Sequence, residues 1–385
     1  MTKMAPQPFA LSIPDAAIAD LKTRLGLTRL PDSAPGEPWA YGSSVDYVRD
    51  LVAYWKDHFD WRAQEAALNG FSQFKVPLHD IDVHYLHVSG VGPNPYPLLL
   101  MHGWPGSVFE FLDIIPRLTD PARFGGDPKD AFTVIAPSLP GYGLSFRPGQ
   151  KRFALPDMAA CLHDLMTEIL GFKTFAAQGG DWGAGIASVI GQRYPSSVCG
   201  IHLNLLFAPR DQVAGESSPD EARYAKQLAH WLKEETGYQL IQGTKPQTLA
   251  FGLTDSPAGL AAWMAEKFRS WSDCDGIPEN AVSRDRMLAN ISFYWFTGAI
   301  GSSFWPYYGR LHASRWPISP AEPVKVPTGY AAFPREILIP PRAIAAKTYT
   351  NIQRWTEMKK GGHFAAMEQP AALAEEIQNF FRPLR

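Results

Sequence analysis

Gly179-Gly180-Asp181-Trp182-Gly183 follows Phe175-Ala176-Ala177-Gln178 and leads into a run of small and apolar residues that ends near Tyr194. The four residues before the pentapeptide read as a short buried strand, the glycines permit a strained turn, and 184–194 reads as a helix whose small residues face a sheet. A sharp strand-to-helix turn of this kind presents a nucleophile at its tip, usually a serine. Here the tip is Asp181, which changes the expected chemistry. A serine must lose a proton before it attacks, whereas a carboxylate with an unperturbed pKa of ~3.9 is already anionic at neutral pH and can attack a saturated carbon. Strained or activated C–O and C–halogen bonds are the substrates this implies. Read alone, Asp181 is equally an ordinary helix N-cap.

Three further segments favour the nucleophile. Leu98-Leu99-Leu100-Met101 is an apolar strand that runs into His102-Gly103-Trp104-Pro105-Gly106-Ser107. In a hydrolase of this type one oxyanion-binding N–H comes from the residue after the nucleophile and another from the loop after an earlier strand, which assigns Trp182 and Trp104. Gly361-Gly362-His363-Phe364 lies between a last strand at 353–358 and a carboxy-terminal helix at 370–381, an address that suits a base. His102, His202 and His312 are not excluded by residue type, but only His363 follows every core strand, as the chain order nucleophile, acid, histidine requires. Between Asp181 and His363, the strand and loop around 327–336 offer Glu336 as the acid that orients the histidine. Glu322, Glu357 and Glu368 have less suitable positions.

The wider pattern gives an α/β-hydrolase fold, a mostly parallel doubly wound sheet. Strands at 98–101, 132–136, 175–178 and 198–203 alternate with helical stretches. Residues 1–90 hold helical patterns at 13–25 and 45–68, and the alternating run 81–87 that starts the sheet. The core then runs over 91–206, is interrupted at 207–320 by helical patterns rich in tryptophan and phenylalanine, and resumes at 321–385. The interruption reads as a helical cap over the site. With 385 residues and 45% apolar content the chain can bury a large core. A net charge of −2, without a basic run, gives no reason to expect nucleic acid. The amino-terminal residues read as neither signal peptide nor membrane span. Three separated cysteines favour reduced thiols in a cytoplasmic compartment. No ligand-spaced His/Cys/Asp cluster calls for a metal.

Taken in order, these motifs resemble the microsomal and juvenile-hormone type of epoxide hydrolase. The resemblance spans nearly the whole chain. It includes 9–30, 47–69 with Trp55, Phe59 and Trp61, the His102 to Ser107 motif, the Asp181 pentapeptide, Thr244-Lys245-Pro246, Asp255-Ser256-Pro257-Ala258-Gly259-Leu260, Phe333-Pro334 and the His363 loop. It implies an amino-terminal extension that wraps core and cap, and two cap tyrosines that hydrogen-bond the epoxide oxygen, matching Tyr238 and Tyr307. Tyr308 adjoins Tyr307 and leaves a one-residue choice of register. The reaction implied is attack by Asp181 on an apolar epoxide to give an aspartyl ester, hydrolysed by water that His363 activates with Glu336 behind it. No cofactor or metal is needed, the partner is a small-molecule epoxide, no membrane anchor is expected, and the chain could pair as a homodimer. Two alternatives stay open: a haloalkane dehalogenase, which shares the aspartate nucleophile, and a non-catalytic ligand-binding protein on the same scaffold.

Overall fold

The computed structural model describes residues 5–208 and 218–385. Nine strands form one sheet in the order β1-β2-β3-β5-β4-β6-β7-β8-β9. They are β1 (Gln7–Phe9), β2 (Gln73–Leu78), β3 (Ile81–Val88), β4 (Tyr96–Met101), β5 (Phe132–Pro137), β6 (Phe175–Gly179), β7 (Val198–Leu203), β8 (Thr328–Ala332) and β9 (Ile352–Glu357). The first three strands and the β3–β5 pair are antiparallel. From β5 through β4, β6, β7, β8 to β9 every pair is parallel. The order of the chain reverses at β4, which has β5 on one side and β6 on the other. In an open parallel sheet this switch leaves a crevice beyond the carboxyl ends of the strands, and the 102–107 loop and Asp181 both lie there, since Met101 pairs with Gly179.

Helices cover the sheet: α1 (Asp15–Gly26), α2 (Val45–Asp57), α3 (Trp61–Asn69), α4 (Ile115–Thr119), α5 (Leu155–Asp164) and α6 (Asp181–Arg193). Between β7 and β8 the chain leaves the sheet and forms α7 (Pro219–His230), α8 (Gly237–Thr244), α9 (Pro246–Asp255), α10 (Pro257–Trp271), α11 (Arg284–Thr297), α12 (Ile300–Ser303) and α13 (Trp305–His312). It then returns for α14 (Arg342–Ala345), α15 (Ala365–Glu368) and α16 (Pro370–Phe381). Residues 209–217 of the cap expected at 207–320, and 1–4 of the expected extension, lie outside the described residues. No helix among the described residues is long and apolar enough to cross a membrane.

Small residues set the close approach of α6 to the sheet. A Cβ at Gly183 would overlap the Met101 carbonyl oxygen, and Ala184, Ala187 and Ser188 are wholly buried beside it. The helix starts at Asp181 itself rather than at Ala184. The single helix expected over 45–68 is two: α2 ends at Asp57, and Asp60 starts α3 by accepting the Ala63 N–H at 3.2 Å. The run at 81–87 does not begin the sheet, because β1 and β2 precede it on the edge. The β2–β3 turn is His79-Asp80, both at positive φ (51° and 67°), the geometry of a two-residue hairpin without its usual glycine or asparagine.

The amino-terminal helices pack on the inserted ones. α1 and α2 both contact α10. Ser43 Oγ donates to the Ala262 carbonyl at 2.6 Å, Tyr47 donates to Glu279, and Arg24 reaches both the carbonyl and the carboxylate of Asp255.

Candidate active site

Asp181 stands on the turn between β6 and α6 at φ 47°, a left-handed conformation that costs a non-glycine residue roughly 1–2 kcal/mol. The surrounding packing imposes it, and it turns the side chain back over the end of β4. The Trp104 N–H donates to Asp181 Oδ1 at 2.7 Å, and the Trp182 N–H also bonds the carboxylate. The N-cap position of α6 belongs to Gly180, and the Asp181 carboxylate is instead the acceptor for the Trp104 and Trp182 N–H groups. The N-cap alternative therefore does not describe this side chain. Its Oδ2 faces His363 Nε2 at 3.8 Å. Burial raises the pKa of the carboxyl, while His363 and the two backbone donors pull it back.

His363 is fixed by its loop. Its N–H donates to the Trp271 carbonyl at 2.8 Å, and Gly361 N–H donates to Asp273 Oδ2 at 2.9 Å. Glu368 accepts the N–H groups of Phe364 (3.0 Å) and Asp273 (2.8 Å). The Trp271 indole meets the imidazole edge-on at 5.0 Å. His363 Nδ1 lies 2.6 Å from Glu336 Oε1, on the loop after β8, and the Ile337 N–H donates to the same oxygen at 2.7 Å. Glu336 is thus buried directly behind the imidazole. Burial alone would lower the His363 pKa, but Glu336, Asp181 and Glu110 outweigh it and raise the value to about 9. Of the other candidate histidines, His102 accepts the Leu139 N–H at 3.2 Å, His202 is buried against Phe380 with neither ring nitrogen bonded, and His312 stacks on Tyr308.

Above Asp181 lies a cavity of ≈ 390 Å³ lined by Trp182, Leu205, Trp231, Tyr238, Tyr307 and Trp316 among others, with Arg310 as its cation. Tyr238 and Tyr307 both lie in the first turn of their helices, Tyr238 in α8 and Tyr307 in α13. Their rings are 5.7 Å apart, Trp104 stacks on Tyr238 at 5.3 Å, and Trp182 meets Tyr307 edge-on at 4.9 Å. Tyr238 Oη accepts from Gln239 at 2.9 Å. The Tyr307 hydroxyl closes no hydrogen bond of good geometry, although the Trp182 indole and the Tyr238 hydroxyl lie within hydrogen-bonding reach of it. Burial, with the Asp181 charge, raises both phenol pKa values, so both remain protonated donors. Tyr308 instead stacks between Trp305 and His312, so Tyr307 is the member of the pair that lines the cavity.

Three side chains at the site were not anticipated. Asn290 and Tyr294, one turn apart on α11, hold the 102–107 loop. Asn290 accepts from Ser107 Oγ at 2.7 Å and donates to the Pro105 carbonyl at 2.7 Å, and Tyr294 donates to the Gly106 carbonyl at 2.7 Å. Two buried polar residues at helical spacing within an apolar helix were the available signal. Glu110 is the third, just beyond the same loop and within electrostatic reach of His363 and Asp181.

Residues 6–111 match the family model described as epoxide hydrolase N terminus, and residues 96–370 match the alpha/beta hydrolase fold. The chain is 43% identical over 382 residues to a putative epoxide hydrolase of Stigmatella aurantiaca, covering 98% of this chain and 85% of that one. It is 38% identical over 402 residues to epoxide hydrolase 1 of Oryctolagus cuniculus, covering 97% and 88%. Among solved structures, the juvenile hormone epoxide hydrolase of the silkworm Bombyx mori superposes with a TM-score of 0.90 at 29% identity over 100% of this chain and 96% of that one. The epoxide hydrolase of Aspergillus niger gives 0.87 at 29% over 100% and 97%. With likeness running from the first helices to the histidine loop, the chain belongs to the epoxide hydrolase family of the α/β-hydrolase fold.

Proposed function

We propose that the cavity takes an apolar epoxide and that the chain converts it to a vicinal diol through an ester on Asp181. The observation that carries this reading is the setting of one carboxylate: Oδ1 is held by the Trp104 N–H, Oδ2 faces His363, and two phenols lie over it.

In the first step the Asp181 oxygen outside the Trp104 contact attacks an epoxide carbon. The carbon–oxygen bond breaks, its electron pair goes to the epoxide oxygen, and Tyr238 or Tyr307 supplies the proton. Ester formation removes the negative charge beside His363. One of the groups holding the imidazole pKa near 9 is then gone, and the proton it releases restores the tyrosine. His363 thus becomes a base at the stage that needs one. In the second step it takes a proton from water as the oxygen bonds to Asp181 Cγ. The tetrahedral anion develops on the oxygen held by the Trp104 and Trp182 N–H groups. Collapse expels the diol oxygen, which takes the proton from His363, and the regenerated Asp181 carboxyl returns its own proton to the imidazole. Atoms and protons then balance as epoxide plus water to diol. In this reading the inserted helices act as the cap that carries both phenols.

The test is turnover of styrene oxide in heavy-oxygen water, with intact mass of a His363→Gln variant mixed with the same epoxide. Diol formation, one substrate mass on Asp181 in the variant, and single-turnover label in the Asp181 carboxylate are expected. No diol and no adduct across a panel of apolar epoxides would overturn the proposal.

A further inference from the structure

The mechanism requires a water beside His363 but gives it no second partner, and Glu110 stands where such a partner is needed. It lies in the short 3₁₀ turn Val108–Phe111, and its side chain folds back over Gly106 so closely that a Cβ there would overlap the carboxyl oxygen Oε1. Glycine at 106 is what admits the carboxyl to this place. The Ser107 N–H bonds it.

A second cavity opens between these groups. It has ≈ 20 Å³ of room for water centres and is lined by Gly106, Glu110, Asp181, His363, Gly103 and Asn204 among others. About 10–15 Å³ admits one water, which then needs two to four polar partners. The space is therefore of single-water size and too small for an epoxide, and Asp181 is shared between it and the ≈ 390 Å³ cavity.

We infer that Glu110 is a further catalytic residue that holds the hydrolytic water, accepting one of its hydrogens while His363 Nε2 takes the other and the oxygen faces Asp181 Cγ. This rests on the ester mechanism proposed above. Glu110 neither gains nor loses a proton over the cycle; it fixes the direction of the lone pair that attacks. The groups around it are His363, with Glu336 behind, and Asp181. Burial pushes its carboxyl up to about 8, against the pull of His363, so at neutral pH it is largely the neutral acid. Its carbonyl oxygen can still accept from water, a role that an amide can also fill.

The experiment separates the two steps in single turnover with styrene oxide, following ester formation by intact mass and its decay by diol release, in Glu110→Leu and Glu110→Gln. In Glu110→Leu, ester formation should stay within about 3-fold of the parent while hydrolysis slows on the order of 10²-fold, so the ester accumulates. In Glu110→Gln, hydrolysis should return to within about 10-fold. Unchanged hydrolysis in Glu110→Leu, or equal loss of both steps in both variants, would overturn the inference. Absence of any ester in the parent and the variants would instead overturn the ester mechanism.

Discussion

Tyr238 and Tyr307 differ in how the protein treats their hydroxyls, and that difference separates their mutants. Tyr238 already accepts from Gln239, whereas Tyr307 closes no hydrogen bond of good geometry. A buried hydroxyl whose contacts are long or poorly aligned contributes little to folding, so Tyr307→Phe should change stability by less than ~1 kcal/mol in urea unfolding. Its ester formation should slow ~10²-fold, since a donor to a developing oxyanion is worth about that, with hydrolysis of the ester little affected. The charge set around His363 gives a second expectation. With Asp181 ionised the imidazole titrates near 9. Ester formation should therefore fall as the pH rises through that value, because the proton reserve is lost. Hydrolysis should instead rise with pH, with a midpoint below 9, because the ester no longer carries the Asp181 charge. Stopped-flow tryptophan fluorescence across pH 6–10 reads both limbs, and a single shared midpoint would contradict the changing charge of Asp181.

Among the elements, β6, the turn and α6 form the unit on which the site depends. Gly183→Ala places a methyl group against the Met101 carbonyl, so the helix must move off β4. Unfolding free energy should drop by ~1–3 kcal/mol, and ester formation should fall with it, because Asp181 and Trp104 sit on opposite sides of that contact. This unit was legible in the sequence because a five-residue strand, glycines and small helical residues all announce it locally, as the apolar runs of β4 and β7 and the pattern of α16 also do. The break between α2 and α3 was not legible, since Asp60 interrupts an amphipathic pattern that continues across it. Nor were β1, only three residues long, and β2, whose Pro77 argues against a strand. Asp181 is marked by its local turn, and chain order from it points to Glu336 and His363. Glu110, Asn290 and Tyr294 act through contacts across the fold, with Ser107 and Asn290 separated by 183 positions, and beyond the helical spacing of Asn290 and Tyr294 no local pattern marks them.

At the scale of the whole molecule, the amino-terminal segment is a structural part of the enzyme. Leu51, Trp55, Trp61 and Leu68 are almost wholly buried, and α1 and α2 lie on α10. Removing residues 1–70 would strip that cover from both the sheet edge and the inserted helices. The shortened chain should be recovered only as insoluble protein, measured as the soluble fraction on expression beside the full chain; soluble, active protein would show that the segment is dispensable. The inserted helices carry a related obligation. Through Asn290 and Tyr294 they hold the 102–107 loop, and through the Trp271 carbonyl and Asp273 they hold the His363 loop. Swinging them outward as a hinged door would dismantle the machinery beneath. An epoxide that enters with those helices in place meets a cavity already shaped by Tyr238, Tyr307, Trp231 and Trp316.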